Sequence, residues 1–150
     1  LFEGSARVPL IISVPGMKTA GQTSASLTEL VDLYPTLADL CGLPKPKHLK
    51  GKSLTPVLAN PKAAVRQAAF STTQIRPRLP GMKTNPRPLG RSIRTERYRY
   101  TEWGQGRFGV ELYDYQQDPK EITNLARSAA HTALVKEMKA IYEQTLKRTR

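Results

Sequence analysis

Nucleophilic catalysis needs a nucleophile beside a base, with a third group orienting the base, and the 150-residue chain offers few residues for that arrangement. Its two histidines are His48, in a Pro/Lys-rich stretch, and His131, at a predicted helix start. Neither neighbours a Ser or Cys nucleophile motif, so both read as surface histidines. The single cysteine, Cys41, ends an apolar helical pattern and reads as a small buried thiol. One cysteine excludes an intrachain disulfide framework and a Cys-rich zinc site. A divalent-metal site wants clustered carboxylates, but Glu29 with Asp32 and Asp114 with Asp118 are accounted for as helix-start, strand-face and turn residues. There is no glycine-rich phosphate loop, no zinc spacing and no HExxH. The residues thus predict neither a catalytic set nor a metal set in this chain.

Binding is the other chemistry open to it. Twenty-four Lys and Arg against twelve Asp and Glu give a formal charge of +12, which points to nucleic acid, an anionic membrane or an acidic substrate, or to a solvated basic surface on part of a larger protein. The basic residues concentrate mildly in 45–52, in 76–99 and in the tail. The run "RSIRTERYRY" interleaves Arg with Tyr as a base-stacking sheet would. Tyr98 and Tyr100, however, share the face that a C-terminal helix needs for its core, so burial is preferred and no nucleic-acid partner is expected. No apolar run approaches the roughly 20 residues of a membrane-spanning helix, so no membrane partner is expected either.

The elements that would position these residues follow from periodicity. Residues 7–14, R-V-P-L-I-I-S-V, form a near-continuous apolar run of the kind found in a buried parallel strand, stopped by Pro15-Gly16. A polar loop over 17–26 precedes "LTELVDLYPTLADLCGLPKP". With Asp32 as N-cap, Pro35 falls in the first turn, where its missing N–H costs nothing. A helix of about 33–41 follows, with Tyr34, Leu37, Ala38 and Cys41 on one face and Gly42 at its stop. Five prolines and glycines over 44–62 read as an ordered connector. Residues 67–74 read as a strand, and 75–90, with four prolines and two glycines, as a long loop. A hairpin turning near Glu96, a strand around Val110 and Leu112 closed at Asp118-Pro119, and an apolar stripe of Leu134, Met138, Ile141 and Tyr142 on a helix of about 130–147 complete the chain. The predicted fold class is the end of an α/β sheet, residues 1–62 with the connector, followed by an α+β unit, residues 63–150, in which an antiparallel sheet carries a C-terminal helix.

Four stretches in order, "LFEGSARVPLIISVPG", "ELVDLYPTLADLCGLPKPKHLKGKSLTPVL", "GRSIRTERYRYTEW" and "ELYDYQQDPKEITNLA", resemble the C-terminal part of type I sulfatases of the alkaline-phosphatase-like superfamily, most of all the iduronate-2-sulfatase-like branch. The resemblance covers nearly the whole chain outside 75–90. It implies a sulfuric ester hydrolase of sulfated glycans whose formylglycine nucleophile, made from a C/S-x-P/A-x-R motif, works with a bound calcium ion. Cys41, followed by Gly42-Leu43-Pro44, does not match that motif, and none of the family's catalytic or metal positions maps onto residues 1–150. The first stretch corresponds to chain just after a family segment bearing an Asp-His pair and a Lys. The resemblance therefore implies a C-terminal fragment, inactive alone, that partners the missing N-terminal part and walls one side of the substrate cleft. It also implies a periplasmic, secreted or lysosomal location.

Arg or Lys on such a wall would make charge-assisted hydrogen bonds to a polyanionic glycan. The substrate-binding candidates are Gln74, Arg76, Arg78 and Lys83 on the long loop, with Arg94 and Trp103 on or near the hairpin. Arg94 has an alternative role as an anchor of the hairpin, and Trp103 as a core residue. Where the branch shows a Ser-Gln-Tyr-Pro-Arg-like run this chain has Thr73-Gln74-Ile75-Arg76-Pro77-Arg78, and the Tyr that often precedes Ser-Ile-Arg-Thr is Arg91. The sugar is accordingly left open. Two other readings stand beside this one: a stand-alone basic module binding a glycan or nucleic acid, and a phosphoryl-transfer enzyme of the same superfamily.

Overall fold

A computed structural model describes residues 2–74 and 87–149. Four strands, β1 (Ala69–Gln74), β2 (Leu89–Arg94), β3 (Tyr98–Trp103) and β4 (Val110–Asp114), form one sheet in the order β1-β2-β3-β4 with every neighbour antiparallel. The long helix α4 (Thr132–Thr149) lies across one face. This is the predicted antiparallel sheet with a C-terminal helix. The strand alternation puts Ile93, Tyr100 and Leu112 on that face, where Met138 and Tyr142 of α4 meet them, all at 3% exposure or less. The Tyr100 and Tyr142 rings meet edge to face at 5.5 Å. Each of these large side chains contributes about 1.5–3 kcal/mol by leaving water, which is why a four-stranded sheet holds its helix.

The opposite face is more polar. Thr101 Oγ1 donates to Ser92 Oγ at 2.8 Å, and both residues are fully buried. Beside them the Arg99 guanidinium is clamped between Glu121 (2.8 Å) and Glu3 (2.6 Å). Glu3 lies in the short helix α1 (Glu3–Ala6), whose first N–H donates to Glu121 at 2.6 Å, and the Phe2 ring packs on Tyr113. A buried, charge-paired arginine thus fastens the N-terminal segment to the sheet.

Helix α2 (Leu33–Leu40) begins where the sequence predicts, with Pro35 in its first turn. Asp32 stands at its N-cap, but its side chain makes no cap bond to α2 and serves instead in a capping box with Glu29 on the preceding turn. It is wholly buried, accepts the N–H of Glu29 at 2.8 Å and of Lys52 at 2.7 Å, and pairs with the Arg66 guanidinium. Thr36 donates to the Asp32 carbonyl and accepts from the Leu54 N–H. Leu54 leads into a short helix, α3 (Thr55–Ala59), inside the stretch read as a connector.

That polar set decides which side of α2 turns inward. Pro35, Thr36 and Ala38 are buried, while Tyr34, Leu37 and Cys41 of the predicted apolar face are exposed. The buried thiol expected at Cys41 is therefore corrected to an exposed one. The strand expected over 7–14 is also corrected. That segment carries no regular secondary structure and is unpaired, with Ile11 90% exposed, because no strand among the described residues lies alongside to form a ladder. The loop expected to run to residue 90 gives way to β2 at Leu89. Among the described residues no helix is long and apolar enough to cross a membrane.

Candidate functional site

The register of the sheet sorts the predicted binding residues into two ends. Gln74 ends β1 opposite Leu89, and Trp103 ends β3 opposite Gly90. The Trp103 ring occupies the space that a Cβ at residue 90 would need, 2.3 Å from its nearest atom, and its Nε1 donates to Glu111 at 3.1 Å. Gln74 Nε2 donates to the Arg87 carbonyl at 3.2 Å, holding the chain as it leads into β2. Arg94 sits at the other end of the ladder, opposite Ala69, roughly 17 Å away at ~3.4 Å per residue. Its guanidinium pairs with Glu3 at 3.3 Å, donates to the Thr95 carbonyl and lies 3.7 Å over the Tyr115 ring. That is an anchoring arrangement. Arg76, Arg78 and Lys83 lie outside the described residues.

At the Gln74 and Trp103 end a pocket of about 260 Å³ opens between the start of β2 and the turn that joins β3 to β4. Arg87, Arg91 and Arg107 reach it from three backbone positions, and Leu89 and Phe108 supply apolar surface. The turn is held by the Gly104 N–H donating to the Leu89 carbonyl at 2.9 Å and the Phe108 N–H to the Trp103 carbonyl at 3.1 Å. Gly104, Gln105 and Gly106 all have positive φ, a backbone that glycine adopts without strain and that lets the chain reverse tightly here. Arg107 Nε donates back to the Gly104 carbonyl at 3.3 Å. Sequence reasoning did not place Arg87, Arg107 or Phe108 in a site. Arg91 alone left a signal, as a cation where the resembling branch carries Tyr.

Other charged groups pair with one another, several of them buried. Burial pushes the Glu3 carboxyl up, but Arg94, Arg99 and Tyr115 outweigh it and hold the group below the usual carboxylate range. Glu29 behaves alike: burial raises it, while Arg148, the Phe70 N–H and Arg66 bring it below its ordinary value. Burial, reinforced by nearby Glu111 and Glu121, pushes the Tyr113 hydroxyl up to about 12. The two carboxylates have their countercharges within the protein, as structural pairs do. Among the described residues no group of three or more His, Cys, Asp or Glu could hold a metal ion. The described residues therefore offer no carboxylate set for a calcium ion, Cys41 lacks the C/S-x-P/A-x-R context of a formylglycine, and no chemical step is assigned to them.

Comparison with known proteins bears on the family and the fold. The family model for the C-terminal part of N-sulphoglucosamine sulphohydrolase matches residues 1–148. Arylsulfatase K of Rattus norvegicus is 35% identical over 130 residues, 84% of this chain and 22% of that protein. The N-acetylglucosamine-6-O-sulfatase of Bacteroides thetaiotaomicron is 33% identical over 150 residues, 98% of this chain and 26% of that protein. The solved structure of BT4656 in complex with its substrate D-glucosamine-2-N,6-O-disulfate superposes with a TM-score of 0.70 at 29% identity, covering 86% of this chain and 26% of that one. The chain spans about a quarter of the length of these relatives. A shared sheet and helix, and a family match running almost from end to end, place it: the chain belongs to the N-sulphoglucosamine sulphohydrolase C-terminal family.

Proposed function

We propose that the chain is the C-terminal part of a sulfuric ester hydrolase of sulfated glycans and forms a wall of its cleft, with the nucleophile and metal site elsewhere in the protein. In this reading residues 1–62 close the large α/β domain and residues 63–150 form the small C-terminal unit. The substrate is a sulfated uronic acid or amino sugar, in keeping with the glucosamine sulfates named for two of the relatives. Binding of that substrate is assigned to Gln74 and Trp103, with Arg76, Arg78 and Lys83, while Arg94 positions the hairpin that carries Trp103. A formylglycine and a calcium ion belong to the part of the enzyme outside residues 1–150, which works in the periplasm, in a lysosome or outside the cell. The observation that carries the reading is the family match over residues 1–148.

The test begins with the coding DNA upstream of Leu1. An in-frame C/S-x-P/A-x-R motif with an Asp-His pair shortly before Leu1 is expected. The full protein should then release sulfate from sulfated mono- or disaccharides, while the 150 residues alone release none. Hydrolysis of phosphate or phosphonate monoesters in place of sulfate esters would overturn the reading in favour of phosphoryl transfer. A start codon close to Leu1, with neither motif, would overturn it in favour of a binding module.

A further inference from the structure

Among the described residues, Arg66, Arg94, Arg97, Arg99 and Arg148 each have a carboxylate within 4 Å. Arg87, Arg91 and Arg107 have none there, and these are the arginines that converge on the pocket between β2 and the β3–β4 turn. Lack of a carboxylate is ordinary for a lone exposed arginine, Arg127 being an example, and Arg107 and Arg91 have only the neutral Gly104 carbonyl and Tyr142 hydroxyl beside them. Three on one concavity is different, because like charges brought together raise each other's energy until an anion joins them.

The pocket's other surfaces narrow the class of anion. Leu89 and the half-exposed Phe108 ring present apolar surface to the same pocket. Inorganic sulfate would leave that surface uncovered, whereas a pyranose lays its C–H face on an aromatic ring and carries its sulfate or carboxylate to the rim. A volume of about 260 Å³ lies below the roughly 300–1,000 Å³ of pockets that enclose drug-sized ligands, and so suits one sugar unit and not a chain of them. The hydrogen bonds that fasten the turn to Leu89 and Trp103 hold the arrangement before any ligand arrives, which lowers the ordering cost of binding.

We propose that Arg87, Arg91 and Arg107, with Leu89 and Phe108, form a subsite for one sulfated or carboxylated sugar unit of a glycan. The subsite rests on the sulfated-glycan reading above for its ligand class and on the pocket alone for its place.

The test is calorimetric binding of a heparin-derived hexasaccharide to the full-length protein, beside its fully desulfated counterpart and a single-stranded DNA of similar charge. Arg87→Gln with Arg107→Gln alters two exposed side chains and should weaken hexasaccharide binding by tenfold or more. Phe108→Ala should weaken it several-fold. The control Arg127→Gln with Lys139→Gln, which removes the same charge elsewhere, should leave it unchanged. Equal weakening by the control pair, or equal binding and equal losses with the DNA, would overturn the subsite in favour of general polyanion attraction. Unchanged hexasaccharide affinity in the pocket variants would overturn it outright, even if sulfate release proves the sulfatase reading right. Loss of hexasaccharide affinity in a protein that releases no sulfate would support the subsite while the sulfatase reading fails.

Discussion

Asp32 shows at the scale of one residue what the sequence discloses and what it withholds. Its place before an apolar periodic run marks a helix start, and the helix does begin at Leu33. Its partners Lys52 and Arg66 come from 20 and 34 residues away, and no local pattern announces them. Because Asp32 is fully buried, Asp32→Asn removes one of the two carboxylates beside the Arg66 guanidinium, Glu29 at 2.7 Å being the other, and stability should fall by less than the about 3–5 kcal/mol of a fully broken buried pair, read as a lower urea midpoint. At Gly90, a methyl group would meet the Trp103 ring at 2.3 Å. Gly90→Ala should cost about 1–3 kcal/mol through overpacking and blue- or red-shift the fluorescence of the single tryptophan. The acid limb of stability also belongs to this scale. Glu3 and Glu29 are held below their unfolded values of about 4.3, so their contribution is complete above that pH and is lost as pH falls through the lower folded values. Acid titration followed by circular dichroism should show this loss below about pH 4, and Arg148→Gln should make it smaller by removing one of the cations that hold Glu29 down.

At the scale of the element, legibility follows how local the forming forces are. Helix α4 announces itself because Met138 and Tyr142 recur at helical spacing and a sheet face is there to receive them. The hairpin of β2 and β3 is equally plain, since alternation and a tight turn are both short-range signals. Met138→Ala, at a side chain 1% exposed, should cost about 2–5 kcal/mol and lower the thermal midpoint without changing the hairpin's hydrogen exchange pattern at temperatures where the chain remains folded. The apolar run over 7–14 misleads for the converse reason. Its composition fits a strand, but a strand exists only with a neighbour. The inward face of α2 misleads too, because hydrogen bonds through Asp32 and Thr36 fix the helix's rotation and leave Tyr34 and Leu37 outward. The basic pocket was hardest to foresee, since Arg87, Arg91 and Arg107 are separated in sequence and meet only once the β3–β4 turn folds back on β2.

Over the whole molecule the exposed apolar side chains are concentrated in its first third. Val8, Leu10 and Ile11 lie on the unpaired segment, and Leu30, Val31, Tyr34, Leu37 and Leu43 on or beside α2, all more than 40% exposed. Surface of that kind associates unless it is covered. The 150 residues expressed alone should therefore bind a hydrophobic dye and form higher-order species in light scattering, and Ile11→Ser with Leu37→Ser should reduce both. The same asymmetry bears on how the molecule assembles itself in time. From β1 to α4 each strand pairs with its successor along the chain, so little loop entropy stands in the way of that unit. The ties that close the N-terminal third upon it span far more chain: Glu3 to Arg99 across 96 residues and Glu29 to Arg148 across 119. The sheet and its helix are thus placed to form first and to serve as the template on which the N-terminal segment docks last, with the Arg99 guanidinium waiting in the unfinished fold for the carboxylate of Glu3.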